Sequence, residues 1–390
     1  MTPLPADLRN AIVCADVFDY LLRLPEDCVH TCITSPPYFR LRDYKVAGQI
    51  GLEETVDDYV AMMVEVFREV RRVLRDDGTL WLNLGDSFAN DAKWRGSAGG
   101  KRAKALHGAD ATRDRARSGF ARKQLLMIPH RVALALQADG WIVRSDIVWS
   151  KPSPMPESVK DRPSRAHEYV FLLSKRPDYY YDIDATRRTH SPATTQRYRR
   201  GYFAERDRGH VDGRADNSVR WMNDPEAKAE AIARGANITD VWTVNPTRFA
   251  EAHFATFPAK LIRPAILAGC PSQCCAVCGA PYRRLTERQF IPQADVSAER
   301  VAYRGKVAEG KWQGYPRGSI VIRTTGFEPT CTCRAGTTPG IVLDPFMGAA
   351  TTAHEALRLQ RDFAGCELNP VYVEMGLRRI SGLLSQMRLF

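Results

Sequence analysis

The feature that most constrains this chain is a unit that recurs along it: a nearly continuous apolar run, a turn, and an amphipathic stretch. TLWLNLGD, WIVRSDIVWSK, HEYVFLLSK, GIVLDP and DFAGCEL read as strands. Between the first run and the N-terminal part, TVDDYVAMMVEVFREVRRVLRDDG sets Val60, Met63, Val64, Phe67, Val70 and Leu74 at helical spacing, with Gly78 after its end. QLLMIPHRVALALQADG predicts a helix kinked or begun near Pro129. PAKLIRPAILAG, TTAHEALRLQ and a stretch from about Asn369 predict three more. Strands apolar on both faces must be covered on both faces. The pattern therefore predicts an α/β fold around a doubly wound, mostly parallel sheet, and 390 residues leave room for insertions.

One unit carries chemistry. GIVLDP runs into the turn FMGAA and a helix, and the next strand ends on Glu367 about 20 residues later, the plan of a nucleotide-type cofactor site. The turn has a single glycine, Gly348, so the GxGxxG fingerprint is missing and a dinucleotide is disfavoured. Far upstream, TCITSPPYFR stiffens the chain with two prolines after a β-branched run and then presents Tyr38.

Two segments break the alternation with positive charge, and the chain carries a formal net charge of +11. Residues 89–123 predict a mobile basic loop, with Lys101, Arg102 and Lys104 as candidate phosphate ligands. RRTHSPATTQRYRRGYF interleaves Arg197, Arg199 and Arg200 with Tyr198, Tyr202 and Phe203. Either run alone also reads as a solvated surface. Two runs flanking one cofactor domain point to nucleic acid, since phosphates need clustered cations and bases need arginine forks and rings. No apolar run approaches the roughly 20 residues that span a bilayer, and the N-terminus lacks a signal peptide's order, so a cytoplasmic location is expected.

A third interruption is rich in cysteine. Cys275 and Cys278 form a CxxCG knuckle, and Cys331 with Cys333 would complete four thiolates around a tetrahedral structural zinc; Cys270 and Cys274 are rival ligands. Unligated thiols and disulfides are the alternatives. Cys14, Cys28, Cys32 and Cys366 are scattered among apolar residues and read as buried free thiols.

TSPPY followed much later by DPFMGAATT and FAGCELNP resembles the amino-group DNA methyltransferases in the permuted order of the beta class. CADVFDYLLRLPED, DIVWSKPSPMPESVKDRPSRAHEYVFLLSK and DVWTVNPTRFAEAHFATFPAKLIRPAI extend the resemblance over most of the chain. It implies a Rossmann-like methyltransferase sheet, S-adenosylmethionine as cofactor, double-stranded DNA as partner and a homodimer. It also implies that Ser35, Pro36, Pro37 and Tyr38 form the catalytic tetrapeptide, with Tyr38 stacking on a flipped base. Asp344, Phe346, Gly348 and Glu367 would surround the cofactor, with Asp16, Thr256 and Lys260 as further contacts. Asp16 also reads as a loop acid, and Thr256 as the N-cap of the following helix. Ala350 stands where relatives carry a second glycine, which would weaken binding if that position needs φ > 0. Ser35 at the first position favours the N4 amine of cytosine, with the N6 amine of adenine as the alternative. Methylation of another acceptor and a non-enzymatic zinc-bearing DNA-binding protein are rival functions.

The expected organisation is a catalytic part over 1–185, a target-recognition region over 186–239, a cofactor-proximal helix region over 240–270, a Cys-rich zinc-ribbon-like insertion over 271–335 and a cofactor-binding part over 336–390.

Overall fold

The computed structural model describes residues 2–89, 119–154, 156–200, 225–246, 257–292 and 318–387. The chain divides into two units, one of residues 1–181, 239–281 and 331–390, the other of residues 182–238 and 282–330.

The first unit is built on an eight-stranded sheet. Its strands are β1 (Ile12–Cys14), β2 (Val29–Thr34), β3 (Leu74–Leu84), β4 (Ile142–Ser150), β5 (His167–Ser174), β6 (Val241–Thr243), β11 (Ile341–Asp344) and β12 (Asp362–Glu367). They lie in the order β1-β12-β11-β2-β3-β5-β4-β6. All neighbours are parallel except β5, which runs antiparallel to both β3 and β4. The parallel expectation thus holds with one reversed strand. An apolar run such as YVFLL reads the same in either direction, so only its connection fixes its sense.

Helices cover the sheet where the periodicity places them. Val56–Val73 starts with a capping box, Asp58 N donating to Thr55 Oγ1 and Thr55 N to the Asp58 carboxylate. It buries Tyr59, Met63, Val66, Phe67 and Val70. It ends at Val73, earlier than the sequence suggested, because Leu74 turns extended and opens β3, which runs through Gly78. There the pairing with β2 slips between Val29 and Thr31, so the DDG that looked like a helix stop is a bulge. A side chain at Gly78 would come within 2.8 Å of the His30 carbonyl. Ile128–Ala138 begins one residue before Pro129, which sits in its first turn and does not kink it.

The N-cap position of Ala259–Gly269 is held by Pro258, with no side-chain cap, and Thr256 lies outside the described residues. Cys14 is exposed, against the expectation of burial, whereas Cys28, Cys32 and Cys366 are buried as expected. β1 is the sheet's edge, so only its β12 side is paired. A short pair, β7 (Cys274–Cys275) with β10 (Thr337–Thr338), completes this unit. None of its described helices is long and apolar enough to cross a membrane.

The second unit holds an antiparallel hairpin, β8 (Arg283–Pro292) with β9 (Gly318–Glu328), and the helices Pro192–Arg200 and Pro225–Arg234. Arg288 pairs with Glu230 at 3.1 Å, joining the hairpin to the second helix, and Arg284 grips Asp182 with contacts of 2.6 to 3.1 Å. Most of residues 186–239 therefore share a unit with the outer part of 271–335.

Candidate active site

The sheet order reverses at its centre. From β2 the chain builds outward through β3, and from β11 it builds the other way through β12, so the crevice at the carboxyl ends of β2 and β11 is the topological switch point. Ser35 to Tyr38 follow β2, Phe346 to Gly348 follow β11, Glu367 ends β12 and Asp16 follows β1. Parallel pairing brings all four segments to one edge. The reversed β5 adds its first residues to that edge, since Leu84 at the end of β3 pairs with Tyr169.

The tetrapeptide is held by contacts far away in sequence. Tyr59 Oη donates to the Pro37 carbonyl at 2.8 Å, fixing the loop from below. Tyr38 Oη has one proton and two acceptors within reach, Glu168 Oε2 at 2.8 Å and Asn83 Oδ1 at 3.1 Å. Ser35 Oγ donates to Tyr38 Oη over a long 3.4 Å. Glu168 is in turn ion-paired with Lys151, whose ammonium lies 4.1 Å from the centre of the Trp149 ring. Burial, and then the facing Glu168 carboxylate, push the Tyr38 phenol well above its ordinary pKa, so it remains a neutral donor. Gly85 gives the ring its room, because a Cβ there would sit 2.5 Å from Tyr38 Cε2.

Next to the tetrapeptide is a cleft with about 460 Å³ of empty space, part of it open to solvent. Its walls are Asp16 and Val17, Pro37, the Tyr44–Ile50 loop, Phe346 and Glu367. Glu367 is oriented by two backbone amides, Gly348 N and Asn369 N, each at 2.8 Å. Burial nevertheless raises its pKa, against the opposing pull of those amides. Asp16 caps the helix Val17–Arg23, accepting from Phe18 N at 2.8 Å. Carboxylates beside an aromatic ring suit the ribose diol and adenine of an adenosine group, so the residues present fit S-adenosylmethionine.

Asp344 is placed differently, buried under the turn and bonded to Thr34 Oγ1 at 2.7 Å, Thr352 Oγ1 at 2.6 Å and Phe346 N at 3.0 Å. It joins β2 to the cofactor turn and is not among the cleft's lining residues. Burial raises its pKa to about 6. In the same turn Gly348 and Ala350 both take left-handed backbone, φ 52° and 57°. The position of Ala350 thus does need φ > 0. Its methyl lies beside Gly376, where a second Cβ would be 3.0 Å away, and not among the residues lining the cleft.

Lys260 is exposed near the start of Ala259–Gly269, and Arg197 is exposed on Pro192–Arg200. Arg199 and Arg200 end that helix, with side chains outside the described residues, as are Thr256, Lys101, Arg102, Lys104, Tyr202 and Phe203. The Sγ atoms of Cys275, Cys278, Cys331 and Cys333 lie within 4.8 Å of one another, without Cys270 or Cys274. Sequence reasoning missed Asn83, Gly85, Lys151, Glu168 and the Tyr44–Ile50 loop. HEYVF and WSK carried no signal beyond a strand each, since their charged residues gain meaning only once β4 and β5 lie beside β3.

The family model described as DNA methylase, for N6 and N4 amino-group methyltransferases, matches residues 29–273 and 333–378. The chain is 34% identical to the type II methyltransferase M.Cfr9I of Citrobacter freundii, over 97% of this chain and 90% of that one. It is 31% identical to the type II methyltransferase M.SmaI of Serratia marcescens, over 97% and 93%. Among solved structures, the PvuII DNA methyltransferase (cytosine-N4-specific) is similar at 15% identity and a TM-score of 0.49, over 96% of this chain and 89% of that one.

Proposed function

This chain belongs to the N6/N4 amino-group DNA methylase family, and from that premise we propose that it methylates the exocyclic N4 amine of cytosine in duplex DNA, taking the base out of the helix to do so. The observation that carries the reading is the seating of Ser35 to Tyr38 at the switch point, directly beside the cleft that fits the cofactor. When bound there, S-adenosylmethionine supplies a sulfonium methyl.

The chain's own residues address the acceptor. An exocyclic amine shares its lone pair with the ring and is a poor nucleophile until that pair is localised. Ser35 Oγ and the Pro36 carbonyl accept from its N–H groups, in a geometry that the locked proline φ angles fix beforehand. Tyr38, backed by Gly85 and held at its hydroxyl by Glu168, offers its ring to the base. Glu367 accepts from the ribose hydroxyls, and Asp16 faces the adenine. Lys101, Arg102, Lys104, Arg197, Arg199 and Arg200 contact phosphates, so binding weakens steeply with salt.

The choice of cytosine rests on Ser35. A hydroxyl accepts from the amine and donates elsewhere, whereas relatives acting on adenine more often carry Asp or Asn at that position, and an Asp carboxylate is the stronger acceptor. Digestion of DNA methylated by the pure protein, with mass spectrometry of the nucleosides, is expected to yield N4-methylcytosine. N6-methyladenine instead would overturn the choice of base, and no methylated nucleoside despite calorimetric binding of S-adenosylmethionine would overturn the activity.

A further inference from the structure

Methyl transfer uses none of the cysteines between Cys275 and Cys333, and the family match is interrupted over residues 274–332. We propose that Cys275, Cys278, Cys331 and Cys333 hold one zinc ion, and that this ion ties together the two points at which the chain leaves for the β8–β9 hairpin and returns from it.

The geometry carries the assignment. A tetrahedral Zn–S4 site with bonds of about 2.3 Å has sulfur-to-sulfur edges of about 3.8 Å. The four Sγ atoms all lie within 4.8 Å of one another, and all four are free thiols. The chemistry is soft and sulfur-only, which selects zinc or iron among the common metals. Cys278 precedes β8 and Cys331 follows β9, each by a few residues, so two ligands come from each side of the excursion. One ion closes a loop that includes every residue of the hairpin.

The first ligand pair is already shaped. Gly279 takes φ 65° and donates its N–H to the Cys275 carbonyl at 2.8 Å, turning the chain back on itself. The knuckle is also anchored to the sheet. His30 on β2 accepts from Ile341 N at its Nδ1, which leaves Nε2 to donate to the Gly279 carbonyl at 3.1 Å. Arg75 on β3 donates to the Cys278 carbonyl at 3.0 Å.

The rival cysteines are engaged elsewhere. Cys274 Sγ donates to the Thr338 carbonyl at 3.0 Å, and Cys270 Sγ is packed so close to Gly340 that a Cβ there would meet it at 2.8 Å.

The test does not pass through methylation. Elemental analysis of the full chain, purified without chelator, is expected to find about one zinc per chain, released as a mercurial titrates four thiolates. Replacement by cobalt should give the intense thiolate-to-metal absorption of a tetrahedral S4 site. Cys278→Ser with Cys333→Ser should lose the metal, whereas Cys14→Ser keeps it. The cobalt spectrum of the wild-type protein decides the matter even where the double variant fails to fold. Iron in place of zinc, a disulfide within the four, metal-free protein that takes up no cobalt, or full zinc retention in a folded double variant would each overturn the proposal.

Discussion

Tyr38 Oη donates to Glu168 Oε2 at 2.8 Å across 130 positions of sequence, and the other oxygen of that carboxylate is ion-paired with Lys151. The bond fixes the rotation of the ring that the proposed reaction lays flat against a base, which makes Glu168 a positioning residue in that reaction. Glu168→Gln keeps an acceptor for the phenol and loses the ion pair, while Glu168→Ala loses both. Turnover is expected to fall about tenfold in the first and about 100-fold in the second, with the dissociation constant of S-adenosylmethionine unchanged within about twofold. Lys151→Met should add little to Glu168→Ala, because the two act as one unit. Additive losses, or a cofactor affinity that falls along with turnover, would assign Glu168 a merely structural part.

Ser35 tests the acceptor itself. In Ser35→Ala the hydroxyl proposed to accept from the amine is gone while the backbone carbonyl of Pro36 remains. A loss of about 100- to 1,000-fold in turnover is expected, as for other donors or acceptors whose bond strengthens in the transition state, with cofactor binding intact. Turnover like that of the wild type would remove Ser35 from the chemistry.

Gly85 offers a steric version of the same test. A methyl at this position would overlap the Tyr38 ring at 2.5 Å from Cε2, so Gly85→Ala must swing the ring or lift the loop. A misplacement of about 1 Å is worth on the order of 100-fold in rate. Single-turnover kinetics on duplex DNA should show that loss, and an unaffected rate would mean the ring's place is not needed.

What the sequence made legible was local. The tetrapeptide, the LDPF turn with Glu367 one strand later, and the CxxC and CxC pairs are each written within a few residues, and the alternation of apolar runs with amphipathic helices foretold the sheet they sit on. What it hid depends on pairing. The reversed β5 brings Glu168 beside Tyr38, and nothing in HEYVFLLSK distinguishes a parallel strand from an antiparallel one. The bulge at residues 75–78 looked like a helix stop because DDG is turn chemistry in either setting. The Tyr44–Ile50 loop, which walls the cleft, has no periodicity to betray it.

Asp344 predicts how stability depends on pH. Its folded pKa, raised to about 6 by burial, exceeds the usual carboxylate value of 3.8, so the folded chain holds this proton more tightly than the unfolded one. The corresponding stabilisation is fully present below about pH 4 and is lost as pH rises through about 6, a change of at most about 3 kcal/mol. Asp344→Asn removes the titration and still offers Oδ1 to Thr34 and Phe346 N. Chemical denaturation of both proteins should therefore show the stability difference moving against the wild type from about pH 4 to about pH 7. A difference that stays flat across that window would refute the raised pKa.

Glu367 turns the same physics on the cofactor. Burial raises its pKa above the ordinary glutamate value, even though Gly348 N and Asn369 N both donate to it. A protonated carboxyl gives up acceptor capacity to its own proton, and the ionised form is the one that takes two ribose hydroxyls. Binding of S-adenosylmethionine therefore favours ionisation, and affinity should rise with pH until the carboxyl of the free protein is fully ionised. Glu367→Gln has no charge to gain. Its affinity should be about 10- to 100-fold weaker at neutral pH, the worth of hydrogen bonds to a charged acceptor, and should show none of the pH dependence that Glu367 gives the wild type. Calorimetry on both proteins from about pH 5 to about pH 8 separates the cases. A wild-type affinity parallel to that of Glu367→Gln across the range would mean that the carboxylate does not hold the ribose.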